Sequence, residues 1–94
     1  MDLETVTSKV IEVIKSIGRD SGCEEAPVDE TTRPINDLSW FDSLMWPVSM
    51  SLLADELGME IPDDVNIYKS EKGDPLSTRE AAARLIEILH TKGV

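Results

Sequence analysis

Helical periodicity dominates the hydrophobic pattern of this chain, and the N-terminal segment shows it most clearly. The apolar residues there recur at spacings of three and four, at Leu3, Val6, Val10, Ile14 and Ile17. Asp2 is suited to cap the first turn, and Gly18 tolerates the left-handed conformation that ends many helices. The pattern therefore predicts an amphipathic helix over Asp2–Ile17 with one buried stripe.

A second helix is predicted from Ser43 to Leu57, ended by Gly58. The apolar stripe and the residues that widen it are Trp46, Met50, Leu53, Leu57, Leu44, Val48 and Leu52. The residues predicted to face outward are Ser49, Ser51, Asp55 and Glu56. Pro47 has no amide hydrogen to give to the carbonyl of Ser43, so either the first turn is loosened or the regular helix begins later.

The third sustained helix begins with a capping box. Ser77 is followed three residues later by Glu80, and Ala81, Ala82, Leu85, Ile86 and Leu89 continue at helical spacing. The helix is predicted to run to about His90, which is interpreted as a solvated residue near a helix end.

The two connections are interpreted differently. The first, from Arg19 to Phe41, is predicted to be a long loop held by Val28, Ile35 and Leu38. In the second, Pro62–Tyr68 is predicted to form a short turn of helix before a polar loop over Lys69–Pro75.

Three sustained helices, one short helix and no alternating strand pattern predict an all-α, small four-helix bundle. Its 94 residues suit a single domain over residues 1–94. The predicted core residues are Leu3, Val6, Val10, Ile14, Leu38, Leu44, Met50, Leu53, Leu57, Ile61, Leu85, Ile86 and Leu89.

A formal net charge of −10 changes the expectations about partners. It repels nucleic acid and anionic membrane surfaces and favours proteins with basic patches, although a merely soluble acidic surface is equally compatible with it. The single cysteine, Cys23, can form neither an internal disulfide nor a metal cluster, and it favours a cytoplasmic location. No signal peptide or membrane span is expected. Asp63, Asp64 and Asn66 lack the glycine and distal glutamate of a calcium loop, so no metal site is predicted.

The candidate chemistry lies at Asp42-Ser43-Leu44, at the start of the second predicted helix. Asp42 is suited to cap the first turn, which would place Ser43 at the first helical position with its hydroxyl facing solvent. The free amides and the positive end of the helix dipole favour a phosphate ester there. This motif, the amphipathic helix after it and its ending in Leu57-Gly58-Met59-Glu60-Ile61-Pro62 resemble an acyl carrier protein over roughly Pro34 to Leu89.

That resemblance implies that Ser43 carries 4′-phosphopantetheine, transferred from coenzyme A, with Asp42 and Leu44 as its recognition neighbours. Acyl or aminoacyl groups would be held on the arm as thioesters, so the protein would be a carrier and not an enzyme. The implied partners are a phosphopantetheinyl transferase and acyl-activating or acyl-transferring enzymes with basic docking patches. The carrier is expected to be a monomer.

The chain departs from the family pattern around the serine. Trp40 and Phe41 lengthen the approach to Asp42, and Lys69–Pro75 belongs to an apparent insertion. Acidic residues often follow this motif in fatty-acid carriers, whereas Met45 and Val48 stand here. The departures indicate a specialised pathway. The residues predicted to contact partners are Trp40, Phe41, Met45, Trp46, Val48 and Glu56, together with Leu44. The three aromatic residues among them suit the core equally well.

Other interpretations of Ser43 remain open. It is compatible with an ordinary serine at a helix start, or with an unmodified adaptor that keeps the carrier fold. A serine hydrolase using Ser43 and His90 is disfavoured because no glycine-flanked nucleophile turn is present.

Overall fold

A computed structural model of the chain describes residues 2–20, 22, 28–38, 41, 44–61, 66–70 and 72–92. The helices within these residues are α1 (Leu3–Asp20), α2 (Pro34–Asp37), α3 (Met45–Leu57) and α4 (Thr78–Lys92). Helix α1 packs against both α3 and α4. The protein is therefore a small all-α bundle of three main helices and one short helix, as predicted.

Helix α1 starts as the sequence predicts but ends later. The backbone amide and the hydroxyl of Thr5 donate to Asp2 Oδ2 at 3.1 and 2.6 Å, so Asp2 is the N-cap. Gly18 is buried inside the helix, and the prediction that it ends α1 is wrong. A glycine in the interior of a helix lowers its stability by about 1 kcal/mol, which a helix can tolerate. Gly22, which follows α1, has the left-handed conformation, with φ of 80°.

Helix α3 begins at Met45, so the prediction that it begins at Ser43 is wrong. Leu44 occupies the N-cap position, which puts Pro47 at the third helical position. An amide at that position has no carbonyl to bond within the helix, so the proline removes no hydrogen bond. The later start that Pro47 suggested is thus the correct alternative.

The end of α3 has the predicted glycine. Gly58 has φ of 64°, its amide donates to Asp55 O at 3.2 Å, and the amide of Met59 donates to Ala54 O at 3.1 Å. These two bonds make a Schellman ending, which satisfies the last carbonyls of the helix.

The capping box of α4 is confirmed in both directions. The amide of Glu80 donates to Ser77 Oγ at 3.1 Å, and the amide of Ser77 donates to Glu80 Oε1 at 3.0 Å. Helix α4 then runs to Lys92, slightly beyond the predicted end at His90.

The short helix lies in a different connection from the predicted one. Helix α2 falls within the first long loop, where Pro34 supplies its first residue and the amide of Arg33 donates to Asp37 Oδ2 at 2.8 Å. In the second connection, the described residues Asn66–Tyr68 are not helical. Residues 62–65 of that prediction lie outside the described residues.

The first connection is anchored to the start of α4. Thr78 donates from its amide to Thr32 O at 2.9 Å and from its hydroxyl to Asp29 O at 2.6 Å. Val28 and Leu38 are buried and Ile35 packs against the core, so the three predicted anchors are confirmed.

The core agrees with the prediction at most positions. The predicted residues that are buried, or partly buried against the core, are Leu3, Val6, Val10, Ile14, Leu38, Met50, Leu53, Leu57, Ile61, Leu85, Ile86 and Leu89. Leu44 is 77% exposed, so its assignment to the core is wrong. Ser49 was predicted to face outward and is fully buried. Core residues that the pattern missed include Val13, Phe41, Ile67 and Tyr68.

Candidate functional site

The candidate site is the N-terminal end of α3, which begins two residues after Ser43. Asp42, Ser43 and Trp40 lie outside the described residues, as do Cys23, Asp63 and Asp64. The described residues that were predicted to bind partners surround this end of the helix or lie further along it.

The outward face of α3 is apolar in its first turns. Leu44 is 77% exposed and Val48 is 47% exposed, and a spacing of four residues places them on the same side of the helix. Pro47 between them is also exposed, and the face continues through Ser51 to Asp55. We call Leu44, Pro47 and Val48 the apolar face. It adjoins Ser43 in the chain, and the same side of the helix becomes polar toward its C-terminus.

Phe41 belongs to the core and not to this exposed surface. It is 2% exposed, and its ring meets the ring of Tyr68 edge to face, with centroids 4.9 Å apart and planes at 78°. The prediction that Phe41 contacts partners is therefore corrected, and its alternative interpretation as a core residue holds.

Trp46 and Met45 lie between the core and the surface. Both are partly buried and pack against the core. The ammonium group of Lys69 lies 4.9 Å from the centroid of the Trp46 ring, which is a favourable cation–π distance. The sequence pattern placed Lys69 only in a polar loop and did not indicate this contact.

Ser49 and Tyr68 carry polar groups that are buried in the core. The hydroxyl of Ser49 donates to Trp46 O at 2.7 Å, which explains how a serine lies on a buried helix face. Burial raises the pKa of Tyr68 to about 12. The neighbouring Ser49 hydroxyl opposes that shift, yet its geometry does not complete a hydrogen bond with Tyr68. Within the described residues, Tyr68 OH and Trp46 Nε1 are buried without a hydrogen-bond partner.

Glu56 lies near the other end of α3 and is exposed. Its carboxylate is 3.4 Å from Lys9 Nζ of α1, and Lys9 also lies 3.8 Å from Glu12. The predicted partner-binding residue is thus engaged in a surface ion pair, a kind of contact that typically contributes less than about 1 kcal/mol.

The predicted insertion forms a turn beside the site. Lys69 and Pro75 make an isolated antiparallel bridge, and the amide of Ser70 donates to Asp74 O at 2.9 Å. Gly73 has φ of 89° and donates its amide to Ser70 O at 2.9 Å. These bonds fix the segment that contains Lys69, whose ammonium group lies over the Trp46 ring.

An open groove lies away from the start of α3, between α1, residues 28–30 and the start of α4. This open groove has a volume of about 480 Å³, and its rim carries the ion pair of Arg79 with Glu30 at 3.2 Å. None of the predicted site residues lines it.

Within the described ranges, no group of three or more His, Cys, Asp or Glu side chains is arranged to hold a metal ion. None of the helices described is both long enough and apolar enough to cross a membrane. His90 is exposed on α4.

Comparisons of the chain with models of protein families, with curated proteins and with solved structures found no match.

Proposed function

We propose that the protein is an acyl carrier protein whose Ser43 bears 4′-phosphopantetheine. Acyl or aminoacyl intermediates would be held on the arm as thioesters and presented to the enzymes of a specialised biosynthetic pathway. In this proposal the chain is a carrier and not an enzyme, acts as a monomer, and works in the cytoplasm, where its single cysteine stays reduced.

One observation carries the proposal most directly. The Asp-Ser-Leu motif at residues 42–44 leads without interruption into the exposed apolar face of α3. A carrier needs a modifiable hydroxyl next to a surface on which its partners dock, and this arrangement supplies both in adjoining residues. The all-α bundle agrees with the fold that the resemblance implies.

The start of α3 is suited to a phosphate ester. Leu44 occupies the N-cap position and has no side-chain oxygen that could accept a hydrogen bond from the first amides of the helix. The backbone amides of Met45 and Trp46 have no acceptor within the helix. These amides and the helix dipole favour an anion close to residue 43. Pro47 contributes no amide, so this turn offers one donor fewer than usual.

The chain's own role in the modification would be limited to presenting Ser43. The Ser43 oxygen forms a bond to a phosphorus of the coenzyme A pyrophosphate, the bridging phosphorus–oxygen bond breaks, and the adenosine bisphosphate leaves. The transferase supplies the base that accepts the serine proton and the metal that stabilises the leaving group. When bound, the arm supplies a thiol for thioester formation.

The partners would recognise both charge and apolar surface. A net charge of −10 favours enzymes with basic patches at long range, whereas Leu44 and Val48 provide close apolar contact. This surface suits dedicated acyl-activating or acyl-transferring enzymes.

Intact mass spectrometry tests the proposal. The protein is incubated with coenzyme A and a broad-specificity phosphopantetheinyl transferase, beside Ser43→Ala and Ser51→Ala. Ser51 is an exposed serine of α3 and serves as the matched control. We expect the wild type and Ser51→Ala to gain one phosphopantetheinyl group and Ser43→Ala to gain none.

The absence of this mass gain in a protein whose helical circular dichroism is intact would reject the carrier proposal. It would favour the second candidate, an unmodified adaptor that binds through protein contacts alone. The exposed apolar face supports that candidate as well, because an adaptor needs the face but not the serine.

A further inference from the structure

The groove beside α1 is lined by one stripe of that helix. Glu4, Ser8, Ile11 and Lys15 follow one another at spacings of four, three and four residues, so they share one side of α1. Ile11 is partly buried against the core, and Val28, from the other wall, is buried. The groove therefore has an apolar centre. Its volume of about 480 Å³ and its open shape suit a chain segment laid along the surface.

The wall formed by residues 28–30 is fixed to the start of α4. The hydroxyl of Thr78 donates to Asp29 O at 2.6 Å, and the amide of Arg79 donates to Glu30 O at 3.2 Å. These bonds hold the wall against α4 without any occupant. A preformed groove loses less conformational entropy when it binds a partner.

The five charged side chains that line the groove are not equally available to a partner. The carboxylate of Asp29 accepts hydrogen bonds from the turn that follows it, and Arg79 pairs with Glu30 at 3.2 Å. Within the described residues, the carboxylate of Glu4 and the ammonium group of Lys15 have no hydrogen-bond or ion-pair partner. One acid and one base thus remain for an occupant.

Glu4 and Lys15 lie at opposite ends of the stripe. They are eleven positions apart on α1, which corresponds to about 16 Å along the helix axis. A segment that complements both ends is positive near Glu4 and negative near Lys15, whereas a segment of one charge sign is repelled at one end. Five residues of extended chain span about 17 Å, so a segment of this length reaches both groups.

We propose that the groove binds an extended segment of a partner protein, with a basic residue at one end, an aliphatic residue at the centre and an acidic residue at the other end. The basic residue pairs with Glu4, the acidic residue pairs with Lys15, and the aliphatic side chain packs on Ile11 and Val28. The proposal involves neither Ser43 nor the apolar face of α3, so it is independent of the carrier function.

Synthetic peptides test the proposal by nuclear magnetic resonance. The probe is the acetylated and amidated pentapeptide Lys-Ala-Leu-Ala-Glu, and the controls carry lysine at both ends or glutamate at both ends. The readout is the set of backbone ¹⁵N–¹H signals of Ser8, Ile11 and Val28 at about 150 mM sodium chloride. We expect these signals to shift to saturation with the bipolar peptide, which should bind about 3- to 5-fold more tightly than either control.

Glu4→Lys makes both ends of the groove basic. Glu60→Lys is the matched control, because Glu60 is exposed, does not line the groove and changes the net charge by the same amount. We expect Glu4→Lys to prefer the peptide with glutamate at both ends about 3- to 5-fold over the bipolar peptide. Glu60→Lys should keep the preference for the bipolar peptide.

Lys15→Glu gives the converse test at the other end of the stripe and does not depend on Glu4→Lys being folded. It should prefer the peptide with lysine at both ends. The proposal is overturned if no peptide gives a saturable shift in the wild type, or if the folded groove variants keep the wild-type preference. Shifts of the same signals that appear on concentrating the protein alone would assign the groove to a second copy of the chain and would also overturn it.

Discussion

Removing the hydroxyl of Tyr68 is expected to change the stability of the folded protein. It is buried beside Phe41 and Ser49 and makes no hydrogen bond within the described residues. Tyr68→Phe removes this unpaired group and keeps the ring, so we expect the free energy of unfolding to rise by about 1 kcal/mol.

Urea unfolding of the wild type and Tyr68→Phe measures this change. Tyr68→Ala is the control for the ring, and its loss of buried contacts should cost about 3–5 kcal/mol. A Tyr68→Phe variant that is clearly less stable than the wild type would mean that the hydroxyl has an acceptor in the folded protein.

The carboxylate of Glu80, in the capping box of α4, makes a contribution to stability that depends on pH. Hydrogen bonds from the amide and hydroxyl of Ser77 lower the pKa of Glu80 below its ordinary value of 4.5. Because the folded protein holds this group ionised more readily than the unfolded chain, its stabilisation is present above the ordinary pKa and is lost as the pH falls through the lowered pKa.

Glu80→Gln tests this linkage, since glutamine can still complete a capping box but does not titrate. We expect the loss of stability between about pH 5 and about pH 3 to be smaller in the variant than in the wild type. Urea unfolding at several pH values measures both curves. Parallel curves would show that Glu80 makes no pH-dependent contribution.

Helix α3 illustrates how position decides the effect of a proline. Pro47 lies at the third helical position, where no intrahelical hydrogen bond is lost, whereas the exposed Ser51 lies in the helix interior. We therefore expect Pro47→Ala to change the free energy of unfolding by less than about 1 kcal/mol, and Ser51→Pro to cost about 3 kcal/mol or more.

Thermal or urea unfolding of the two variants gives the comparison. If the helix instead began at Ser43, Pro47→Ala would restore a hydrogen bond and raise the stability markedly. The small expected change thus checks the start of α3 at Met45 as well as the role of the proline.

The start of α1, the end of α3 and the start of α4 could be predicted from the sequence because they depend on neighbouring residues. Asp2, Gly58 and the pair of Ser77 with Glu80 each satisfy backbone groups a few positions away, so local chemistry suffices. Gly18 was misinterpreted because only the packing of α1 decides whether a glycine continues a helix.

The rotation of α3 about its own axis could not be predicted in full. A wide apolar pattern left Leu44 and Val48 compatible with either the core or the surface. Ser49 faces inward, where its hydroxyl donates to the Trp46 carbonyl of its own helix and lies beside Tyr68, a residue distant in the sequence. The motif at residues 42–44 indicated where the candidate site lies, but the contacts of Phe41 with Tyr68 and of Trp46 with Lys69 join residues that no local pattern brings together.

The net charge of the protein and its exposed apolar surface act over different distances. A net charge of −10 attracts a basic partner across solvent, and salt screens that attraction. Leu44 and Val48 act only on contact, so their contribution is nearly independent of salt. If the carrier proposal is correct, both contributions should be separable in the reaction with the transferase.

The two contributions are separated by measuring kcat/KM for the modification of Ser43 while sodium chloride is varied from about 50 to about 500 mM. We expect Leu44→Ala to lower kcat/KM about fivefold at every salt concentration, which corresponds to roughly 1 kcal/mol of lost apolar contact. Asp55→Asn removes an exposed charge from the same side of α3 and should instead reduce the dependence on salt. If Leu44→Ala changed only the salt dependence, or left kcat/KM unaltered, the exposed leucine would have no part in docking, and charge alone would account for recognition by this enzyme.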